Sequence, residues 1–478
     1  MAERTLPPAL RDAVQRLGSA DIMVGIPSYR NAATIGHVVR AAQAGLVQYF
    51  PDLRPVVVNA DAGSSDGTGR VVVDTEPPDY IERILLVRPR NRLGRVSLTY
   101  PEVDGIGGKG AALRTVFQMA DALGVEALVV VDSDLRSIGP EWIELLAGPI
   151  LKGGFDYVTP LYARHKWDGT ITNTVTYPMM RALFGLRIRQ PMGGDFGISG
   201  DLVRHFLDRD DWTPDVSRFG IDIWMTTTAI AAGFAVCQTR LGAKIHDPKD
   251  PGGDLGPMFT DVVSTLLRLV VLHADRWREV TGSHEVPVYG FERYADPPPL
   301  TIDVTRLLDE LARGRLVASG TWGRMLSPEV ATVVDQLAAD AAVARDAALR
   351  RDQPESQPRF VFPDDVWARV LYDVALSARR DPGSVERLVA ALVPLYLGRV
   401  AGFVSETRDL SPEDAEAVVE RQAAAFERAK PAFQTAWEAL DAARAATAGS
   451  GTTAGSGTAA IGAPGPRPPP PARKRTRR

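Results

Sequence analysis

Between roughly residues 21 and 247, short unbroken apolar runs alternate with stretches whose apolar residues recur at helical spacing. Ile22-Met23-Val24-Gly25-Ile26 predicts a buried strand, 33–44 a helix, and Pro55-Val56-Val57-Val58-Asn59 a second strand. Ile84-Leu85-Leu86-Val87 predicts a third, and 110–123 another helix. Residues 127–131 predict a strand whose three consecutive valines suit a pleated backbone covered on both faces. This alternation predicts an α/β fold, a mostly parallel sheet with helices over it.

After Pro257 the pattern turns helical, over 258–280, 304–312, 328–350, 364–379, 385–396 and 412–446, with little strand signal between. Pro412-Glu413-Asp414 opens the last of these with residues that suit a helix N-terminus. The expected organisation is a helical lead-in over 1–20, an α/β domain over 21–256, a mainly helical region over 257–447 that packs on it or forms a homodimer, and a tail over 448–478. The tail runs from Gly/Ser/Thr/Ala to Pro to basic residues, cannot build a core, and is expected to be disordered.

Composition narrows the function classes. With 478 residues, 45% hydrophobic, the chain has material for a large core. The net charge of −4 includes the basic tail residues Arg467, Arg473, Lys474, Arg475, Arg477 and Arg478, so the rest is more acidic still and no specific nucleic-acid partner is expected. The single Cys237 excludes an intramolecular disulfide and suits a reducing compartment. With no secretory leader pattern, and with the apolar stretch 266–272 interrupted by Arg268, the expectation is a cytoplasmic protein without a transmembrane segment.

The chemistry collects where strands should end. Val129-Val130-Val131 runs into Asp132-Ser133-Asp134, two carboxylates on one face of an extended chain at the carboxyl end of a strand, where open α/β sheets bind ligands. Hard oxygen donors of this kind suit Mg²⁺ or Mn²⁺ carrying a diphosphate. The first strand emerges into Pro27-Ser28-Tyr29-Arg30-Asn31, a polar cluster with room for a nucleobase. The second emerges into 59–68, where Asp61 offers an acceptor among small residues. Gly107-Gly108-Lys109-Gly110 sets a lysine at a helix N-terminus, favourable for a phosphate.

Pro27-Ser28-Tyr29 with Thr34-Ile35, the 61–68 turn, Gly108-Lys109-Gly110 and Asp132-Ser133-Asp134 resemble, in order and spacing, the GT-A nucleotide-diphospho-sugar transferases. Gln190-Pro191-Met192-Gly193-Gly194-Asp195, Phe219-Gly220-Ile221-Asp222 and His246 resemble the retaining group that makes glucosyl-3-phosphoglycerate, glucosylglycerate and mannosylglycerate, a family 2-like set. The likeness covers roughly residues 21–250. It implies that Asp61 holds the base, Lys109 the nucleotide, Asp132 with Ser133 the ribose or a metal-bound water, and Asp134 with His246 the cation. Pro27, Tyr29 and Asn31 join the nucleotide side. Gly193, Gly194 and Asp195 form a loop over the sugar, Asp195 standing where family members often carry Glu.

Asp222 is expected beside the anomeric carbon, orienting the acceptor or stabilising a helix N-terminus. Arg164, in Tyr162-Ala163-Arg164-His165-Lys166, matches the arginine that meets the acceptor carboxylate, and Thr170 is expected to add a hydroxyl contact. The resulting expectation is a metal-dependent retaining transferase moving glucose or mannose from an NDP-sugar to D-glycerate or 3-phosphoglycerate, chemistry suited to compatible solutes. Asp247-Pro248-Lys249, after the histidine, offers fewer basic groups than phosphoglycerate-using members carry. The alternatives are an inverting family 2 enzyme acting on a lipid or polysaccharide, with Asp195 or Asp222 as base, a sugar nucleotidyltransferase, and a non-catalytic sugar-nucleotide scaffold.

Overall fold

A computed structural model describes residues 6–76, 93–99, 108–245, 256–291, 297, 299–350 and 357–449. Its strands, in chain order, are β1 (Ile22–Ser28), β2 (Pro55–Asp61), β3 (Gly94–Thr99), β4 (Ala127–Val130), β5 (Tyr157–Ala163), β6 (Leu186–Arg187), β7 (Phe196–Ser199), β8 (Val236–Ala243), β9 (His284–Glu285) and β10 (Val288–Tyr289). Eight of them form one sheet in the order β10-β8-β5-β7-β4-β1-β2-β3, and β6 pairs with β9 apart from it. Every pairing in the large sheet is parallel except those of β7, which runs antiparallel between β4 and β5. The expected strand at 84–87 lies outside the described residues; the third described strand is Gly94–Thr99, beside β2.

The valine-rich strands are buried on both faces, as their unbroken apolar runs require. Ile22, Val24 and Ile26 pack with the helices Ile35–Tyr49 and Glu141–Gly153. Gly25 faces the other side, where a Cβ would overlap Val116 of the helix Lys109–Leu123. Between β5 and β8 the register slips by one: Leu161 pairs with Arg240 but Tyr162 with Gly242, so Leu241 is an extra residue on β8.

Two helices run well past the ends that their sequence predicts. Val304–Met325 continues through Gly314, and Val385–Thr407 through Pro394 and Gly398. Here the glycines and the proline let two axes approach closely. A Cβ at Gly314 would overlap Pro394, and one at Gly398 would meet Leu311 Cδ2 at 2.5 Å. Pro382–Thr407 is also long and apolar enough to cross a membrane, an 18-residue window in it having a mean hydropathy of 1.7. Some 78% of that window is buried, and it carries Arg399, whose guanidinium reaches Asp364, Gln422 and the Phe362 carbonyl. Sheet and helices up to Gln434 form one compact unit; the described residues from Thr435 on belong to a second.

His273, just after the helix Gly256–Leu272, is held neutral: burial and nearby Arg209 push its pKa down to about 4. The unfolded chain takes up a proton near the ordinary value of 6.5, so between these limits it binds more protons than the fold, and stability falls as pH falls. His273→Phe is expected to flatten that acid limb in urea-unfolding midpoints measured from about pH 6.5 to about pH 4.

Candidate active site

The carboxyl ends of β1 and β4 open on a cavity of about 640 Å³ whose wall includes Pro27, Tyr29, Asn31, Ser133 and Asp134. Beyond β1 the chain reverses at Arg30, whose φ of 55° makes it the one non-glycine residue with positive φ among the described residues. The turn after β2 holds that reversal: Arg30 N–H donates to Ser64 Oγ (2.8 Å), Asn31 N–H to Thr68 Oγ1 (2.9 Å) and Ala32 N–H to Asp66 Oδ2 (3.1 Å). Ser133 Oγ donates to Asn31 Oδ1 (2.8 Å), tying the β1 and β4 exits together.

Asp61, expected to hold the base, is not among the residues that line the cavity. It is buried and accepts from Ser28 Oγ, Ser64 N–H and Ser64 Oγ at 3.1, 2.8 and 2.6 Å, pinning the two turns to each other, while Ala62 faces the cavity.

Asp132 lies at the centre of a charged cluster. One carboxylate oxygen is 2.8 Å from Lys109 Nζ and the other 2.7 Å from Lys244 Nζ, and its backbone N–H donates to Asp195 Oδ1 (2.8 Å). Lys109 also meets Asp222 at 3.1 Å, and Lys244 meets Asp195 at 3.0 Å and the Gly193 carbonyl at 2.7 Å. Burial would push Lys109 toward neutrality, but Asp132 and Asp222 outweigh it and hold the ammonium above its ordinary range. Burial likewise opposes ionisation of Asp132, and the two ammonium groups overcome it, holding the carboxylate well below its usual range. Asp195 goes the other way: burial, with Asp132 beside it, raises its pKa despite Lys244.

Asp195 therefore differs from its expected role over the sugar. It is fully buried beneath the cavity, bound to Lys244, the Asp132 amide and the Tyr162 hydroxyl, and it has no face toward a substrate. Lys244 was not singled out by its sequence context, although a lysine inside Ala243-Lys244-Ile245 is the kind of polar interruption that marks a buried charge. Glycines shape this centre. Gly194 has φ +88°, and a Cβ there would overlap Asp132 Oδ2; a Cβ at Gly193 would overlap Pro160. Gly194→Ala is expected to push Asp132 off Lys244 and to lower kcat/KM by about 10²-fold, the scale of a 1 Å misplacement, as measured by steady-state kinetics. The glycines beside Lys109 make room for protein: a Cβ at Gly108 would meet Ser217 O at 2.7 Å, and one at Gly110 would overlap Val216 O. Gly107 lies outside the described residues.

Asp134 has no hydrogen bond or ion pair among the described residues, though it stands on the cavity wall. His246, Asp247 and Lys249 lie outside the described residues. No group of three or more His, Cys, Asp or Glu side chains placed to hold a metal occurs among the described residues.

Across the cavity stands Arg164, just past β5, with Nη1 at 3.4 Å from Asp168 Oδ2 and its guanidinium against the Tyr162 ring. The neighbouring basic side chains are occupied. Lys166 Nζ donates to the Arg408 and Leu410 carbonyls (2.9 and 2.8 Å), and His165 Nδ1 accepts from Trp167 N–H (3.2 Å). Thr170 lines the cavity, but its hydroxyl bonds to Tyr396 at 2.6 Å. A π-helical turn, Thr172–Thr176, follows, a device common at functional sites.

No protein-family model matches the chain. Over 282 residues, 55% of this chain and 78% of the relative, it is 24% identical to a glucosyl-3-phosphoglycerate synthase of Petrotoga mobilis. The chain is thus similar to a glycosyltransferase of the group its motifs resemble. Among solved structures, this chain is 22% identical to the glucosyl-3-phosphoglycerate synthase of Mycobacterium tuberculosis in complex with Mn²⁺, UDP-glucose and phosphoglyceric acid. That match has a TM-score of 0.39 and covers 56% of this chain and 86% of that one. The mannosyl-3-phosphoglycerate synthase of Rubrobacter xylanophilus gives 22% identity and a TM-score of 0.39, over 56% and 80% of the two chains.

Proposed function

We propose that this chain transfers a hexose, glucose or mannose, from an NDP-sugar to a small anionic acceptor, D-glycerate or 3-phosphoglycerate, with retention at the anomeric carbon. The supporting observation is the charge arrangement: both ammonium groups of the central cluster are already matched by Asp132, Asp195 and Asp222, and Asp134 lines the same cavity without a partner among the described residues. A diphosphate entering such a site needs additional positive charge. A carboxylate oxygen with no protein partner fits a Mg²⁺ or Mn²⁺ ion bound through one or two side chains plus the phosphates, with Asp134 and His246 as its holders. Such an ion supplies stabilisation of the charge that develops on the departing diphosphate.

The chain's own residues supply the rest. Pro27, Tyr29, Asn31 and Ser133 form the nucleotide side of the cavity. Lys109, fixed between Asp132 and Asp222, keeps a third N–H for a phosphate oxygen. Arg164 presents its planar fork to the acceptor carboxylate. Asp195 is buried and Asp222 is ion-paired, so neither is disposed to act as the base that an inverting reaction requires. In a retaining reaction the acceptor hydroxyl approaches on the leaving-group side and its proton passes to the departing phosphate oxygen. We place the reaction in the cytoplasm, where the buried thiol of Cys237 stays reduced.

The test is a matrix of NDP-sugars against D-glycerate and 3-phosphoglycerate, with and without EDTA, with the product anomer read by NMR. Transfer with retained configuration that EDTA abolishes is the expected result. Inversion, or activity only with NTP and a sugar phosphate, overturns the reading.

A further inference from the structure

The acceptor side of the cavity is backed by the helical half of the chain. Thr170 closes the loop that carries Asp168 and Gly169, and its Oγ1 lies 2.6 Å from the hydroxyl of Tyr396, in the middle of the helix Val385–Thr407. Both residues are about 1% exposed. The Tyr396 ring stacks on Phe259 with 4.3 Å between centroids, next to Met258, which lines the cavity. The loop's backbone is anchored from the same region: Trp367 Nε1 donates to the Thr174 carbonyl (2.6 Å) and Gln422 Nε2 to the Asn173 carbonyl (2.7 Å). Lys166 fastens its other end to the Arg408 and Leu410 carbonyls. Arg164 Nη1 passes 3.3 Å from where a Cβ on Gly169 would stand, so the guanidinium and Thr170 border the same part of the cavity.

A hydroxyl has one proton and two lone pairs. A phenol is the better donor of this pair, and burial keeps Tyr396 protonated by pushing its pKa above the ordinary value of 10. With Tyr396 donating, Thr170 Oγ1 is satisfied as an acceptor and its own proton is left to point into the cavity. Were Thr170 to spend that proton on Tyr396, it would meet an anion with lone pairs only.

We propose that Tyr396 is a positioning residue for the acceptor: its hydroxyl fixes the Thr170 hydroxyl so that Thr170 donates, beside Arg164, to the acceptor's carboxylate. This rests on the anionic acceptor of the proposed function. It also gives the helical half a part in the reaction, that of presetting one hydrogen bond and the loop that bears it.

Steady-state kinetics on the full chain test it, with donor and acceptor varied separately. Tyr396→Phe keeps the ring and its stacking, and is expected to raise the acceptor KM about tenfold, the weight of a hydrogen bond to a charged group, with donor KM within about twofold. Thr170→Val should match it, Thr170→Ser should stay near the parent, and the Tyr396→Phe/Thr170→Val double variant should be no worse than either single one. A folded Tyr396→Phe with unchanged acceptor KM, equal rises in donor and acceptor KM, or additive losses in the double variant would overturn the inference. Should Tyr396→Phe fail to fold, a Thr170→Val acceptor KM equal to that of Thr170→Ser overturns it as well. A parent chain that transfers to no small anionic acceptor rejects the functional reading itself.

Discussion

Asp134→Asn is expected to lower kcat by about 10³-fold, with a circular dichroism spectrum and unfolding midpoint close to the parent's. Asp134 touches nothing among the described residues that its charge stabilises, so neutralising it should cost the fold little. Its charge matters once a diphosphate and its cation arrive. A bound ion contributes several kcal/mol of charge stabilisation, and each 1.36 kcal/mol is tenfold in rate. A second readout is independent of turnover: Mn²⁺ binding in the presence of a nucleoside diphosphate, followed by electron paramagnetic resonance, should weaken in Asp134→Asn. Full activity, or unaltered Mn²⁺ binding, would remove Asp134 from the proposed cation site.

Lys244→Met is expected to damage both stability and activity. The ammonium lies between the half-buried carboxylate of Asp132 and the buried one of Asp195, and its removal leaves Asp195 uncompensated in a dry site. Breaking one partner out of a buried ion pair costs about 3–5 kcal/mol. The loss should depend on pH in a defined direction. Asp195 already has a folded pKa above its ordinary 3.8 through burial, and without Lys244 it rises further. The folded variant then binds more protons than the unfolded chain just above that value, so its stability is greatest in mild acid and falls as pH rises. Adding Asp195→Asn to Lys244→Met should recover most of the stability while activity stays low, because Asp132 has still lost its second ammonium. Urea unfolding at several pH values reads all of this; a Lys244→Met variant within about 1 kcal/mol of the parent would show that the ion pair is not what holds this centre together.

Those two residues mark where the sequence was legible and where it was not. Asp134 was readable because it follows a run of valines, and a strand of that composition has a predictable exit. The same holds for Lys109 and Arg164, each at the end of an element whose periodicity is plain. Lys244 was not readable, because its meaning comes from Asp132 and Asp195, 112 and 49 positions away. Nor was the burial of Asp195: Gly193-Gly194-Asp195 looks like an exposed loop, yet the absence of side chains on the glycines is what lets Asp132 and Pro160 close over it. The hydroxyl partner of Thr170 sits 226 residues downstream, at the residue where the sequence pattern ends a helix that the structure carries on to Thr407. In the fold, β7 has only four residues and reverses direction in a sheet whose alternating pattern implies parallel neighbours, so neither its length nor its context announced it. Among the described residues β3 alternates buried and half-exposed positions, as an edge strand does, and lacks the unbroken apolar run that marked its neighbours.

The one-residue slip between β5 and β8 sets a parity for everything after it. Successive side chains of a strand alternate between faces, so the surplus Leu241 decides on which side the residues beyond Gly242 emerge. A shortening by that single residue would send the butylammonium arm of position 244 away from the carboxylates, with the composition of the site otherwise intact.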